Sequence, residues 1–264
     1  MGRGGDSDTM RRKGYSRGGP WGFQGEAHYQ FHLVKSSTAR EFVLEEMPLV
    51  EAFGHTLGGF YYARYEDSPA GPMDELVVLS GLVWNAPTSC AWASHVFVDR
   101  KSAVSHGKQV FGLPSHLVNF HKTREGGKEE GGSGGIERVA LRDAAGGNSG
   151  TIVELVRKVG RKAGAGGPKI NFQLPSFSGR TKHKPDLLKY DLDLSATIQP
   201  SRTFSVDAPR KRASALATHV CAILGGPRLG AFTFRNMAMS VRKPKVVAAE
   251  KSPKGRKLEA GASA

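Results

Sequence analysis

The sequence predicts a mainly β (α+β) fold: one antiparallel barrel or sandwich carrying a few short helices. Three observations predict it. Runs such as His28-Tyr29-Gln30-Phe31-His32-Leu33-Val34 and Tyr190-Asp191-Leu192-Asp193-Leu194 alternate with the two-residue period of a half-buried strand. Apolar runs rich in β-branched and aromatic residues recur between glycine- and proline-based turn signals. The helical stretches are too few and too short to alternate with the strands as βαβ units.

Taken in order, Pro20-Trp21-Gly22-Phe23 opens the ordered part, and residues 28–34 form its first strand. Residues 36–44 read as a short helix, with Thr38 as its cap and Phe42, Val43 and Leu44 as its apolar contacts. Residues 57–65 are a strand whose glycines permit close backbone packing. Asp67-Ser68-Pro69-Ala70-Gly71-Pro72 is a turn. Residues 75–84 and 91–98 are apolar runs of the kind found in buried strands. A short helix over 101–107 and a tight turn at Gly112-Leu113-Pro114 follow. Residues 136–141 pair with 151–156 across a glycine-rich insertion, and 170–174, 187–198 and 231–241 are further strands. The expected organisation is a leader (1–19), a single domain (20–242) with glycine-rich insertions near 122–150 and 160–168, and a basic tail (243–264). Leader and tail have the composition of solvated, disordered chain.

The formal net charge of +14 points first to nucleic acid, but its distribution weakens that reading. Residues 21–121 carry ten acidic against six basic groups, and the positive excess lies in the leader, the tail and residues 151–213. Nucleic acid is therefore not the expected partner. Cys90 and Cys221 make neither a disulfide framework nor a zinc set. No apolar run reaches the ~18 residues of a membrane helix, and the leader lacks the apolar segment of a secretory signal. The expectation is a protein of the cytoplasm or chloroplast that is not secreted. No nucleophile elbow, phosphate loop, dinucleotide fingerprint or His-Glu-x-x-His occurs, so no cofactor and no metal is expected. His28 and His32 share one strand face with Gln30 and read as satisfied core or surface histidines. Arg210-Lys211-Arg212 reads as a solvated loop.

Phe60, Tyr61, Tyr62, Trp84 and Trp92 fall on three consecutive strands, and alternate residues of a strand share a face. Two readings stand side by side: a packed core, or an apolar cavity for a lipid or isoprenoid.

Pro20-Trp21-Gly22-Phe23, the run Ser68 through Leu76, Gly107-Lys108 and Gly112-Leu113-Pro114-Ser115-His116 together resemble the acetoacetate decarboxylase superfamily. Within it, Leu49-Val50-Glu51-Ala52-Phe53-Gly54, Leu57-Gly58-Gly59-Phe60, Trp84 through Ala93 and Leu174-Pro175-Ser176-Phe177-Ser178-Gly179 resemble the plant NEOXANTHIN-DEFICIENT family, with glycine-rich insertions that suggest an algal-type relative. The resemblance implies a conical antiparallel β-barrel with an internal pocket. In the enzymes of the superfamily a Lys-Lys pair supplies a Schiff-base amine, and acetoacetate decarboxylase is the standing example of a lysine activated by its surroundings. Ser115 and His116 stand at those positions here. A matching carboxylate falls on Glu75, a second falls on Phe60, and a substrate-binding arginine falls near Glu26, so an acidic substrate would be disfavoured.

The pocket lining implied is Glu26, Phe60, Glu75, Trp92, Ser115 and His116, with His116 and Glu75 as the candidate acid–base residues. The resemblance implies an accessory, non-catalytic role in neoxanthin formation within the xanthophyll and abscisic acid precursor pathway. A xanthophyll ligand or a carotenoid-pathway enzyme is the expected partner, and homo-oligomers are common in the superfamily. The alternative is a repurposed lyase or isomerase with His116 as general base and Glu75 as acid.

Overall fold

The computed structural model describes residues 14–126, 135–144, 150–159, 166–207 and 214–247. Residues 1–13 of the leader, positions 127–134, 145–149 and 160–165 of the insertions, Arg210-Lys211-Arg212 and the tail from 248 lie outside them. The described strands are β1 (Trp21–Lys35), β2 (Leu49–Ala52), β3 (His55–Asp67), β4 (Met73–Asn85), β5 (Thr88–Val98), β6 (Ser115–Glu125), β7 (Gly135–Asp143), β8 (Thr151–Val159), β9 (Lys169–Thr181), β10 (Lys184–Pro200), β11 (Ser205–Asp207), β12 (Arg228–Val241) and β13 (Lys245–Val246). The helices are α1 (Ser36–Arg40), α2 (Lys101–His106) and α3 (Ala215–Leu224). A 3₁₀ turn at Tyr15–Arg17 precedes β1, and a π-helical turn at Gly107–Phe111 extends α2.

The hydrogen-bonded path runs β11-β8-β7-β6-β5-β4-β2-β3-β1-β12-β10-β13, with β9 beside β10 and β3 also on β4. The mainly β architecture with short helices is as the sequence predicts, with two corrections. Strands β5 and β6 are parallel, Val96 facing Ser115 and Phe97 facing His116; α2 and the π turn supply the crossover that a parallel pair needs. The ladder also stays open and does not close into a barrel. Strands β5 and β9 stand six steps apart on the path, roughly 29 Å in a flat sheet, yet they pack together. The sheet therefore curls until these two strands meet. At their seam the Cys90 thiol accepts a hydrogen bond from the Phe177 N–H, and Lys189 Nζ donates to Thr88 Oγ1 at 2.7 Å.

The outer face of the curl is a closed core. Val34, Phe60, Leu76, Val78, Trp92 and Phe97 pack there with Val139, Leu141, Val153 and Leu155 of β7 and β8 and with Val220, Ile223 and Leu224 of α3. Helix α3 escapes a strand-centred reading of the sequence. Ser214 caps it, its Oγ accepting from the Ala217 N–H at 3.1 Å, and Ala217, Val220, Ile223 and Leu224 make its buried stripe. Helix α1 is shorter than its expected 36–44 span, and Thr38 does not cap it: Lys35 occupies the cap position and no side chain bonds there. Phe42, Val43 and Leu44 are consecutive, so one helical stripe cannot bury all three. The chain turns instead, and Arg40 donates to the Met47 carbonyl at 2.9 Å.

Candidate functional site

Over parts of β1, β4 and β5 the inner face is less buried than the outer one. In β1 the side chains of Gln30, His32 and Val34 are buried outward, whereas Tyr29, Phe31 and Leu33 are half-buried inward. In β4 Leu76 and Val78 are buried and Glu75 and Val77 are half-buried; in β5 Trp92 is buried and Ala91 and Ala93 are half-buried. Tyr61, Glu75 and Tyr190 are half-buried on this face. Val77, Ala93, Phe172 and Leu192 are half-buried there, packed against a second buried cluster that includes Val96, Leu194, Phe234 and Met239.

Polar groups gather at one end. Tyr65 Oη donates to Glu75 Oε2 at 2.8 Å, and Tyr61 Oη lies 3.5 Å from Tyr65 Oη and donates to Met237 Sδ at 3.3 Å. Tyr190 reaches Glu75 electrostatically although β10 and β4 are four steps apart on the path, which requires the curl. Tyr15 stacks on His106 at 3.9 Å, Trp21 meets the same ring edge-on at 4.4 Å, and Phe111 bridges Trp21 and Tyr190. Burial raises Glu75 to about 6, and its hydrogen bond from Tyr65 opposes that rise. Among the described residues no basic side chain takes part in the shift. Burial pushes the phenols of Tyr15, Tyr29, Tyr61, Tyr65 and Tyr190 upward, so all are neutral donors at physiological pH. Burial lowers His106 to about 4, which leaves it uncharged as well. Trp21 Nε1 and His106 Nε2 are buried with no hydrogen-bond partner among the described residues. The end is polar without being cationic.

Strand register decides which expected residues meet there. Across β4, β5 and β6 the rows are Glu75–Val98–Leu117, Leu76–Phe97–His116 and Val77–Val96–Ser115. Neighbours in a row share a face, and consecutive rows alternate. Glu75 and Ser115 therefore face inward together, two strand spacings or roughly 10 Å apart laterally. His116 faces outward, its ring 5.6 Å from Phe97 and 6.1 Å from His95. The proposed His116–Glu75 acid–base pair is corrected: the sheet itself separates the two. Phe60 and Trp92 belong to the outer core, and Glu26 lies exposed in an ion pair with Arg64 at 3.3 Å, so none of the three packs on the inner face with Glu75. The physical reason for Phe60 is the two-residue period, because a one-residue offset turns a side chain to the other face. Tyr61 is the inward neighbour. Tyr15, Tyr65 and Tyr190 were not singled out by the sequence, although stepping by two from Tyr61 reaches Tyr65.

The turn before β6 holds Ser115 in place. Leu113 N–H donates to the Gly107 carbonyl at 2.9 Å, Gly112 takes the left-handed φ of 62°, and Ser178 Oγ donates to the Phe111 carbonyl at 2.6 Å. A Cβ on Gly107 would stand 2.5 Å from Ser115 Oγ, so the serine packs directly against the turn. Lys108 acts on His116 rather than on Glu75, adding to the burial that lowers the imidazole pKa. His28, Gln30 and His32 share the outer face: Gln30 Nε2 lies 2.8 Å from His32 Nε2, and His28 Nδ1 lies 3.1 Å from Arg157 Nη1. His28 is lowered to about 3, by burial first and the guanidinium second, and stays neutral. A separate cleft of about 410 Å³ between Arg40, Val43, Glu45 and Pro48 lies beside α1, away from Glu75. Among the described residues no cluster of metal-ligating side chains occurs, and no helix is long and apolar enough to cross a membrane.

No family model matches the chain. Three plant proteins called Protein NEOXANTHIN-DEFICIENT 1 are similar to it. That of Oryza sativa subsp. japonica is 37% identical over 283 residues, 92% of this chain and 94% of the relative. That of Solanum lycopersicum is 43% identical over 72% of each chain, and that of Arabidopsis thaliana 41% identical over 69% of this chain and 72% of its own. Among solved structures, an acetoacetate decarboxylase from Legionella pneumophila aligns with a TM-score of 0.62 over 88% of both chains at 16% identity. The enduracididine biosynthesis enzyme MppR with HEPES bound aligns at 0.58 over 88% of this chain and 89% of its own, at 17% identity. An acetoacetate decarboxylase-like enzyme from Sphingomonas wittichii RW1 aligns at 0.57, over 86% of this chain and 92% of its own, at 13% identity. At such identities the shared property is the fold.

Proposed function

The chain belongs to the NEOXANTHIN-DEFICIENT 1 family, and on that premise we propose that it serves neoxanthin biosynthesis as a non-catalytic accessory protein. It acts through the apolar inner face or through a partner enzyme of the pathway. The observation that carries the non-catalytic part is Ser115, which shares the inner face with Glu75 where the superfamily resemblance expects an amine. A hydroxyl cannot form an imine with a ketone, and among the described residues no basic side chain contributes to the shift of the Glu75 carboxyl. His116, on the other face, cannot share a substrate with Glu75.

The test is disruption of the gene in its own cells followed by pigment chromatography. Neoxanthin is expected to fall, and the wild-type gene and a His116→Ala variant are expected to restore it equally. Unchanged neoxanthin after disruption would overturn the assignment. Loss of rescue in the His116→Ala variant, with the protein still folded, would favour the enzymatic alternative.

A further inference from the structure

We propose that the end of the sheet where β13 joins β10 is a docking face for an anionic lipid bilayer, on whose headgroups the protein rests without crossing. This concerns where the protein sits, and it stands or falls independently of the accessory role.

Three observations carry it. First, cations gather there without counter-ions. Lys189 and Lys245 stand directly opposite each other in the β10–β13 pair. Like charges so placed repel each other across a strand pair. Lys182 lies in the β9–β10 turn, Lys184 opens β10, and Lys243 leads into β13. The Val247 N–H donates to the Leu187 carbonyl at 2.9 Å, which carries the chain along β10 toward that turn. The neighbouring guanidinium groups are already paired, Arg180 with Glu46 at 3.0 Å and Arg242 with Asp193 at 2.9 Å. Among the described residues none of the five lysines is in an ion pair. Asp186 and Asp191 are the acidic residues on this stretch of β10, too few to balance them.

Second, the two ends of the chain add charge of the same sign at this place. Residues 248–264, which follow β13, carry Lys251, Lys254, Arg256 and Lys257 against Glu250 and Glu259. A Cβ on Gly19 would stand 3.3 Å from the Lys243 backbone nitrogen, so the leader joins the fold beside the same lysine. Residues 1–20 carry five basic and two acidic groups. Three positive segments therefore meet at one end of the molecule. Each lysine within a Debye length of an anionic bilayer strengthens binding roughly fivefold.

Third, the chemistry favours lipid over nucleic acid. Val246 is 65% exposed between the lysines, an aliphatic side chain that the headgroup boundary of a bilayer can take up. Single-stranded nucleic acid is held by exposed rings on which bases stack. Among the described residues the exposed large aromatic side chains are Phe53 and Trp84, on the β2–β3 turn and on β4. Arginine is the residue suited to paired contacts with phosphates and bases, and here Arg180 and Arg242 are spent on carboxylates.

The experiment is co-sedimentation of the full-length protein with sucrose-loaded vesicles of phosphatidylcholine, alone or with about 30% phosphatidylglycerol. In about 0.1 M NaCl the protein is expected to partition onto the anionic vesicles at least about tenfold more strongly than onto the neutral ones, and to lose most of that binding in about 0.5 M NaCl. Replacing Lys182, Lys184, Lys243 and Lys245 together by glutamine is expected to weaken the binding at least about 100-fold. Lys189 is left in place because its Nζ donates to Thr88 Oγ1 at 2.7 Å across the β5–β9 seam. Circular-dichroism melts show whether the variant folds, and the wild-type preference for anionic vesicles stands as a test by itself. Equal partition onto neutral and anionic vesicles, or unchanged binding by the folded quadruple variant, would overturn the proposal. Tighter binding to a single-stranded RNA than to the anionic vesicles at the same salt would overturn it in favour of nucleic acid.

Discussion

A carboxyl group moved from water into a protein interior favours its neutral form, and Glu75 is held at about 6 for that reason, against an unperturbed value of 4.5. The folded-state pKa is the higher one, so the sign of the linkage follows. Glu75 contributes its full stability below about pH 4.5, and that contribution is lost as pH rises through about 6. The difference is on the order of 1–2 kcal/mol at neutral pH. Glu75→Gln should therefore be more stable than wild type at pH 8 by roughly that amount and close to it at pH 4.5, as read from urea unfolding midpoints at the two pH values. A wild type that gains stability from pH 5 to 8 relative to the variant would contradict the burial argument. Tyr65→Phe removes the donor that opposes the rise. The carboxyl resonance of Glu75 should then titrate above its wild-type midpoint by NMR, and the fold should lose about 1–2 kcal/mol. Glu75 and Ser115 were legible in the sequence through their motifs. Tyr15, Tyr65 and Tyr190 around them were not, because the resemblance put the second carboxylate position on Phe60, whose side chain faces the other side of β3.

The π turn and the start of β6 act as one element, because the absence of a side chain at Gly107 is what lets Ser115 approach. Gly107→Ala places a Cβ at 2.5 Å from Ser115 Oγ, a distance that real contacts do not tolerate. The single change should lower the melting temperature by several degrees, corresponding to about 1–3 kcal/mol. Ser115→Ala removes the offending oxygen and leaves its Cβ 3.5 Å from the added methyl, so it should rescue Gly107→Ala. A double-mutant cycle should show a favourable coupling of about 1 kcal/mol or more; additivity of the two changes would mean that the turn relaxes elsewhere. At this scale the strands were legible wherever apolar residues alternate, as in β1, β3 and β10. Strand β6 was not: Ser-His-Leu-Val-Asn-Phe-His-Lys-Thr-Arg-Glu is mostly polar, and its place comes from pairing with β5 on one side and β7 on the other. A parallel partner is set by the crossover through α2, which no local pattern encodes.

Over the whole molecule, the two faces of the curled sheet bury Phe60 and Phe31 to different depths, and the two positions should answer differently to the same chemistry. Phe60 and Phe31 both lie on strands next to each other in the sheet and both are phenylalanine. Phe60 is fully buried among Tyr62, Phe204 and the outer core, while Phe31 is half-buried on the inner wall. Truncating Phe60 to alanine empties a closed volume that its neighbours cannot refill, at a cost of about 3–5 kcal/mol. Truncating Phe31 removes a side chain already partly open to water, so only its partial burial is forfeited, about 1–2 kcal/mol. Urea unfolding of Phe60→Ala and Phe31→Ala should therefore differ in midpoint while sharing a similar slope, since the surface exposed on unfolding is nearly the same. Composition and alternation already pointed to strands with two unlike faces, but both faces of these strands are apolar. Only the return of β9 onto β5 makes one of them an interior. Equal destabilisation by the two truncations would mean that Phe31 is as tightly packed as Phe60, and the difference in burial between the two faces would have to be given up.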